Sequence, residues 1–127
     1  MKNFGFIIYV SDQNKSMEFY RNLLDKEPVL HVPGMTEFAF SETCKLGIMP
    51  ESGIAKIIEE KTQHPANGNG IPRCELYLEV AAIEPYYKRA KALDAVLVSD
   101  TMDRDWGHRV CYFADPDGHI VAFAEEI

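Results

Sequence analysis

A chain of 127 residues is large enough for one domain that buries its own core without metal or disulfide staples. Thirteen basic against twenty acidic residues give a formal net charge of −7, which argues against nucleic acid or an anionic membrane as partner and favours a neutral or cationic ligand, although solubility alone accounts for such a charge. Three cysteines without CxxC spacing, Cys44, Cys74 and Cys111, argue against a disulfide framework or a zinc knuckle and read as buried thiols.

The opening MKNFGFIIYV contains an apolar run too short to cross a bilayer and lacks a cleavage-site pattern, so the expected location is the cytoplasm. FIIYV at 6–10 has strand length and composition. A helix follows, capped by Asp12 or Asn14, with Met17, Tyr20, Leu23 and Leu24 at helical spacing until Pro28 stops it. Short strands are expected near 28–32, 36–40 and 44–49. The stretch 50–72 reads as a linker, its Pro, Gly and Asn content marking the second part as exposed and mobile.

From 73 the order repeats. CELYLEV at 74–80 is a strand, Pro85 sits in the first turn of a helix, and strands are expected at 95–98, 108–113 and 119–125. Asp115-Pro116-Asp117-Gly118 fits a type I turn into the last strand. On that strand Val121 and Phe123 face one way while the small Ala122 and Ala124 face the other, since side chains alternate with period 2. Such a bare face either packs on backbone or makes room for something that is not protein. Val10 and Val80 end the two opening strands 70 positions apart, so the chain is one domain of two duplicated modules, about 1–49 and 73–127. The same offset places Gly5, Ile7 and Tyr9 on the face matching Glu75, Tyr77 and Glu79, a half-polar surface with the aromatics and acids of a ligand pocket.

YVSDQNKSMEFYRNLL at 9–24, LYLEV at 76–80 and WGHRVCYFADPDGHIVAFAE at 106–125 together resemble the vicinal oxygen chelate superfamily of glyoxalases, bleomycin-resistance proteins and extradiol dioxygenases. The resemblance implies an α+β fold of two βαβββ modules forming an open barrel-like cleft, in a homodimer whose modules pair within a chain or are exchanged between chains. It also implies four metal-ligand positions, which fall here on Gly5, about Gly47, Glu75 and Ala122. Only Glu75 has a side-chain donor, whereas a catalytic divalent ion needs about three protein ligands. His31, His64, His108 and His119 show no HxH or HxxxH spacing and read as surface or turn histidines, so no metal and no cofactor is expected.

The resemblance is nearest to the metal-free bleomycin-resistance branch. The expected function is therefore sequestration of a polar, aromatic or cationic small molecule, with Ile7, Tyr9, Gly47, Glu75, Tyr77, Trp106 and Ala122 lining the site and Trp106 serving as a cap or as ordinary packing. Glu75 either recognises the ligand or is neutralised by Arg73 or Arg109. Two alternatives stand beside this reading: a metal-dependent glyoxalase-like lyase or isomerase, and metal-free general-base catalysis by Glu75. The expected partners are the small molecule and a second copy of the chain.

Overall fold

The computed structural model describes residues 1–127. The chain runs β1 (Phe4–Val10), α1 (Gln13–Leu24), β2 (Leu30–Val32), β3 (Met35–Ala39), β4 (Cys44–Pro50), α2 (Glu51–Ile58), a 3-10 turn (Pro65–Gly68), β5 (Glu75–Glu79), α3 (Glu84–Ala92), β6 (Val96–Asp103), β7 (His108–Ala114) and β8 (Ile120–Glu126). These strands make two four-stranded sheets of matching order, β1-β4-β3-β2 and β5-β8-β7-β6. In each, the opening strand pairs in parallel with the last, and the remaining pairs are antiparallel. The chain divides into two compact units, Met1–Arg21 with Asp25–Asn69, and Asn22–Leu24 with Gly70–Ile127. No helix is long and apolar enough to cross a membrane.

In the first unit, α1 begins where expected. Asp12 is extended, and its carboxylate accepts from Lys15 N at 3.0 Å, satisfying one of the amide donors that a helix start leaves unpaired. The helix ends on Asp25, whose left-handed φ of 51° lets its amide reach Arg21 O. Gln13 ties α1 to the sheet: its Nε2 donates to Val32 O at 2.8 Å and Thr36 Oγ1 at 2.9 Å, while its Oε1 accepts from Gly34 N at 2.9 Å. The buried side of this sheet is Thr36 and Phe38 on β3 with Leu46 and Ile48 on β4, the period-2 pattern of a half-buried strand.

The second unit buries Phe113 on β7 with Val121 and Phe123 on β8. From α3, Tyr86 stacks on Phe123 with centroids 4.7 Å apart, and Tyr87 meets Phe113 edge-on at 5.4 Å. Glu125 Oε2 accepts from Ile83 N at 2.7 Å, supplying the acceptor that the start of α3 lacks in its own side chains. The 115–118 turn forms as read. Asp115 Oδ1 accepts from Asp117 N and His119 N at 2.9 Å each, and Gly118 takes φ 88°, where a Cβ would stand 2.9 Å from Gly70 Cα.

Two expectations need correction. The stretch 50–72 holds α2, with Ala55 buried, because Ile54, Ala55 and Ile58 supply a short apolar stripe that the Pro and Gly content of its neighbours hides. Of the three thiols only Cys111 is buried. Cys44 is half-buried, and Cys74, one residue ahead of β5, is exposed because no packing reaches that strand end.

Candidate functional site

The face of the second sheet opposite α3 carries its own small apolar cluster. Tyr77, Ala122 and Tyr112 lie in one cross-strand row, β5 to β8 to β7. Both tyrosines pack against the buried Val110, Ala122 and Ala124. Cross-strand neighbours sit about 5 Å apart, so a methyl group in the middle of the row leaves room for a ring to lean in from each side. The bare face read from the sequence is thus filled from within: Ala122 is 0% exposed, covered by its neighbours rather than open to a ligand.

Trp106 sits in the tight β6–β7 turn, where Arg104 N donates to His108 O at 2.7 Å and Gly107 takes φ 90°. Its indole is exposed, but Nε1 donates to Tyr77 Oη at 2.9 Å. That hydroxyl in turn meets His108 Nδ1 at 2.7 Å, with the two rings stacked 5.8 Å apart. On the far side of the imidazole, Nε2 faces Glu79 Oε1 at 3.8 Å. Trp106, Tyr77, His108 and Glu79 therefore form one polar chain along the sheet. Reading His108 as a surface or turn histidine is corrected here: it opens β7, and its alternation with Val110 and Tyr112 puts it on the aromatic face. That alternation was the available signal.

Arg104 joins this face without any local sequence signal. Its guanidinium lies 5.4 Å over the Tyr112 ring and donates through Nη2 to Ser99 Oγ at 3.0 Å, leaving a buried Nε without a hydrogen-bond partner. Burial pushes the Tyr112 phenol up, the Glu75 charge adds to this, and Arg104 opposes it. Glu75 itself is exposed at the start of β5. Arg109 does not neutralise it, being bound to Asp103 at 2.6 Å and facing Glu125 at 3.7 Å.

On the first sheet, Gly5 pairs with Lys45, and Ile7 with Gly47, which pairs onward with Glu37. A hollow of about 330 Å³ lies over Gly5, Ile7, Glu37, Lys45 and Gly47, with Lys45 Nζ 3.6 Å from Glu37 Oε1. Tyr9 stands further along β1, half-buried and outside the hollow's lining. A Cβ on Gly47 would stand 2.9 Å from Ile7 Cγ1 and 3.3 Å from Met35 Sδ, so neighbouring side chains occupy the space where a ligating side chain would begin. The sequence-predicted residues thus fall into two groups, Ile7, Tyr9 and Gly47 on the first sheet, and Glu75, Tyr77 and Ala122 on the second with Trp106 in its β6–β7 turn.

The positions on which the resemblance places the family's metal ligands, Gly5, about Gly47, Glu75 and Ala122, carry two glycines, one exposed carboxylate and one covered alanine. Nowhere do three or more His, Cys, Asp or Glu side chains gather in a geometry that could hold a metal. This donor set does not fit a catalytic divalent ion.

The chain is 27% identical over 115 residues to a phenazine antibiotic resistance protein, EhpR, of Enterobacter agglomerans, covering 91% of this chain and 84% of that one. Its fold is shared by a glyoxalase-related enzyme from Fulvimarina pelagi (TM-score 0.79, 21% identity, 95% of this chain and 86% of that one). It is shared also by a lactoylglutathione lyase from Agrobacterium tumefaciens (TM-score 0.67, 20% identity, 96% and 91%). The family model of the glyoxalase-like domain matches residues 4–127. With the duplicated sheets and this match across nearly its whole length, the chain belongs to the glyoxalase-like domain family, within the vicinal oxygen chelate superfamily.

Proposed function

We propose that this protein binds a small planar aromatic molecule bearing polar or cationic groups against the tyrosines that cover this face of the second sheet, and sequesters it without a resident metal and without turnover. The observation that carries this reading is the row Tyr77–Ala122–Tyr112 with Trp106 hydrogen-bonded to its edge: three aromatic side chains on one face, half-buried or exposed. Flat rings offer stacking area at low conformational cost, and Glu75 at the rim supplies a charge for a cationic substituent. The likeness to a phenazine antibiotic resistance protein supports the same class, since a phenazine is three fused aromatic rings. A metal-dependent lyase would need donors that Gly5, Gly47 and Ala122 lack. General-base catalysis by Glu75 alone calls for a carboxylate shielded from water, and Glu75 is exposed.

The proposal includes a homodimer. The edge strands β2 and β6 expose Leu30, Val32, Val96 and Val98, apolar edges of the kind a second copy would cover. The test of binding is direct because Trp106 is the chain's single tryptophan. Titration with phenazine is expected to quench its fluorescence saturably at one ligand per chain. Tyr77→Ala and Tyr112→Ala should each weaken binding roughly 2- to 10-fold, the range of one stacking contact. Absence of saturable quenching by phenazine, or its chemical conversion by the protein, would overturn the reading.

A further inference from the structure

We infer that His108 sets the hydrogen-bonding polarity of Tyr77, so that the site accepts hydrogen bonds when His108 is neutral and donates them when it is charged. This deepens the binding proposal, and its first test does not depend on any ligand.

Each atom's capacity to donate or accept limits the arrangement. Trp106 Nε1 is a donor only, so at 2.9 Å it occupies one lone pair of the Tyr77 hydroxyl. The contact of 2.7 Å between that hydroxyl and His108 Nδ1 must then be made in one of two senses. With a neutral imidazole carrying its proton on Nε2, toward the Glu79 carboxylate 3.8 Å away, Nδ1 is an acceptor and the Tyr77 O–H donates to it. The hydroxyl has then given away its proton and keeps one lone pair for a ligand. When His108 takes up a proton from solvent at Nδ1, both ring nitrogens become donors. Nδ1–H now fills the second lone pair of Tyr77, and the phenolic proton, which stays on its oxygen, turns out toward the ligand face.

Several groups surround His108. Tyr77 and Glu79 face it from β5. Glu126 pairs with it in register from β8, and these two glutamates line one hollow with the imidazole. Arg104 reaches its carbonyl through the backbone, but that residue's guanidinium is turned over Tyr112. Asp105 is exposed in the turn, while Arg109 and Glu125 lie on the other face, paired with each other. The nearest charges are thus the Glu79 and Glu126 carboxylates, and Tyr77 is the group that changes partner when the imidazole gains a proton. Imidazole in general is the side chain whose charge changes between about pH 5 and pH 8, and this sets the range over which the test is run.

The experiment has two arms. Without ligand, Trp106 emission is followed from about pH 5 to pH 8 in the wild type, His108→Gln and Tyr77→Phe. The expected result is a one-proton transition in the wild type that both variants lose, since Tyr77→Phe keeps the imidazole but removes the hydroxyl that links it to Trp106. A transition that survives in Tyr77→Phe, or none in the wild type, overturns the inference. In the second arm phenazine, whose ring nitrogens only accept, should bind roughly 2- to 10-fold more tightly at the acid end, the worth of one hydrogen bond. Carbazole, whose ring N–H only donates, should weaken by a similar factor. Equal pH responses from the two would overturn the polarity reversal. Failure of both to bind, with the ligand-free transition present and lost in both variants, would sink the binding reading and leave the His108–Tyr77 linkage standing.

Discussion

Replacing Ala122 by Leu tests whether the small residue exists to seat the two tyrosines. Ala122 has no exposed surface and lies mid-strand between Tyr77 and Tyr112, on a cluster with Val110 and Ala124. A leucine fits only if a ring lifts or the strands part, and overpacking of this kind costs about 1–3 kcal/mol. For 127 residues, an unfolding entropy of about 2.1 cal/mol/K per residue amounts to roughly 0.27 kcal/mol per degree, so the melting temperature should fall by about 4–11 °C. Scanning calorimetry reads the shift. Trp106 emission in the folded variant should move as well, because displacing Tyr77 breaks the hydrogen bond to its indole. Ala122→Gly, which removes a methyl group and loosens a strand interior, should cost less, about 1 kcal/mol. A leucine variant that melts at or above the wild type would show that the space over Ala122 is open, contradicting the packing described here.

Four further outcomes follow from individual contacts. Asp12→Ala should destabilise by about 1 kcal/mol through loss of the cap on α1, read by chemical denaturation, whereas Asn14→Ala should change little. Glu125→Ala removes the acceptor for Ile83 N and a neighbour of Arg109, and should lower stability by about 1–3 kcal/mol with the ligand-free Trp106 emission unchanged. Among the thiols, Cys74 should react with an aromatic disulfide reagent in the native protein and Cys111 only on unfolding. Burial pushes the Cys111 thiol up to about 11 from an ordinary 9.0, so the folded state favours its neutral form. That contribution is fully present below about pH 9 and fades as pH rises toward about 11, and Cys111→Ala should flatten the alkaline loss of stability.

The duplication was legible because it repeats element order, and order survives errors of a residue or two at each boundary. The alternation on β8 correctly put Ala122 and Ala124 on one face. It did not reveal what covers them, since Tyr77 and Tyr112 belong to strands 45 and 10 positions away and only the register brings them beside Ala122. His108 is illegible for a related reason: it has no metal-ligand spacing to another histidine and gains its chemistry from Tyr77 across the sheet and Trp106 in its own turn. Arg104 has no local pattern at all, and its place over Tyr112 depends on where the β6–β7 turn falls. The helix α2 was masked by flanking Pro and Gly, which describe the ends of the segment better than its middle.

The proposed function is binding without chemistry and without a metal. The most direct measurement is equilibrium dialysis of chelator-treated protein against phenazine, with the bound ligand released and weighed by mass spectrometry after prolonged incubation. The expected result is one phenazine per chain, recovered at unchanged mass, with affinity unaltered when zinc, nickel, manganese or iron(II) is added. Binding that appears only with added metal, or a released molecule of altered mass, would contradict it.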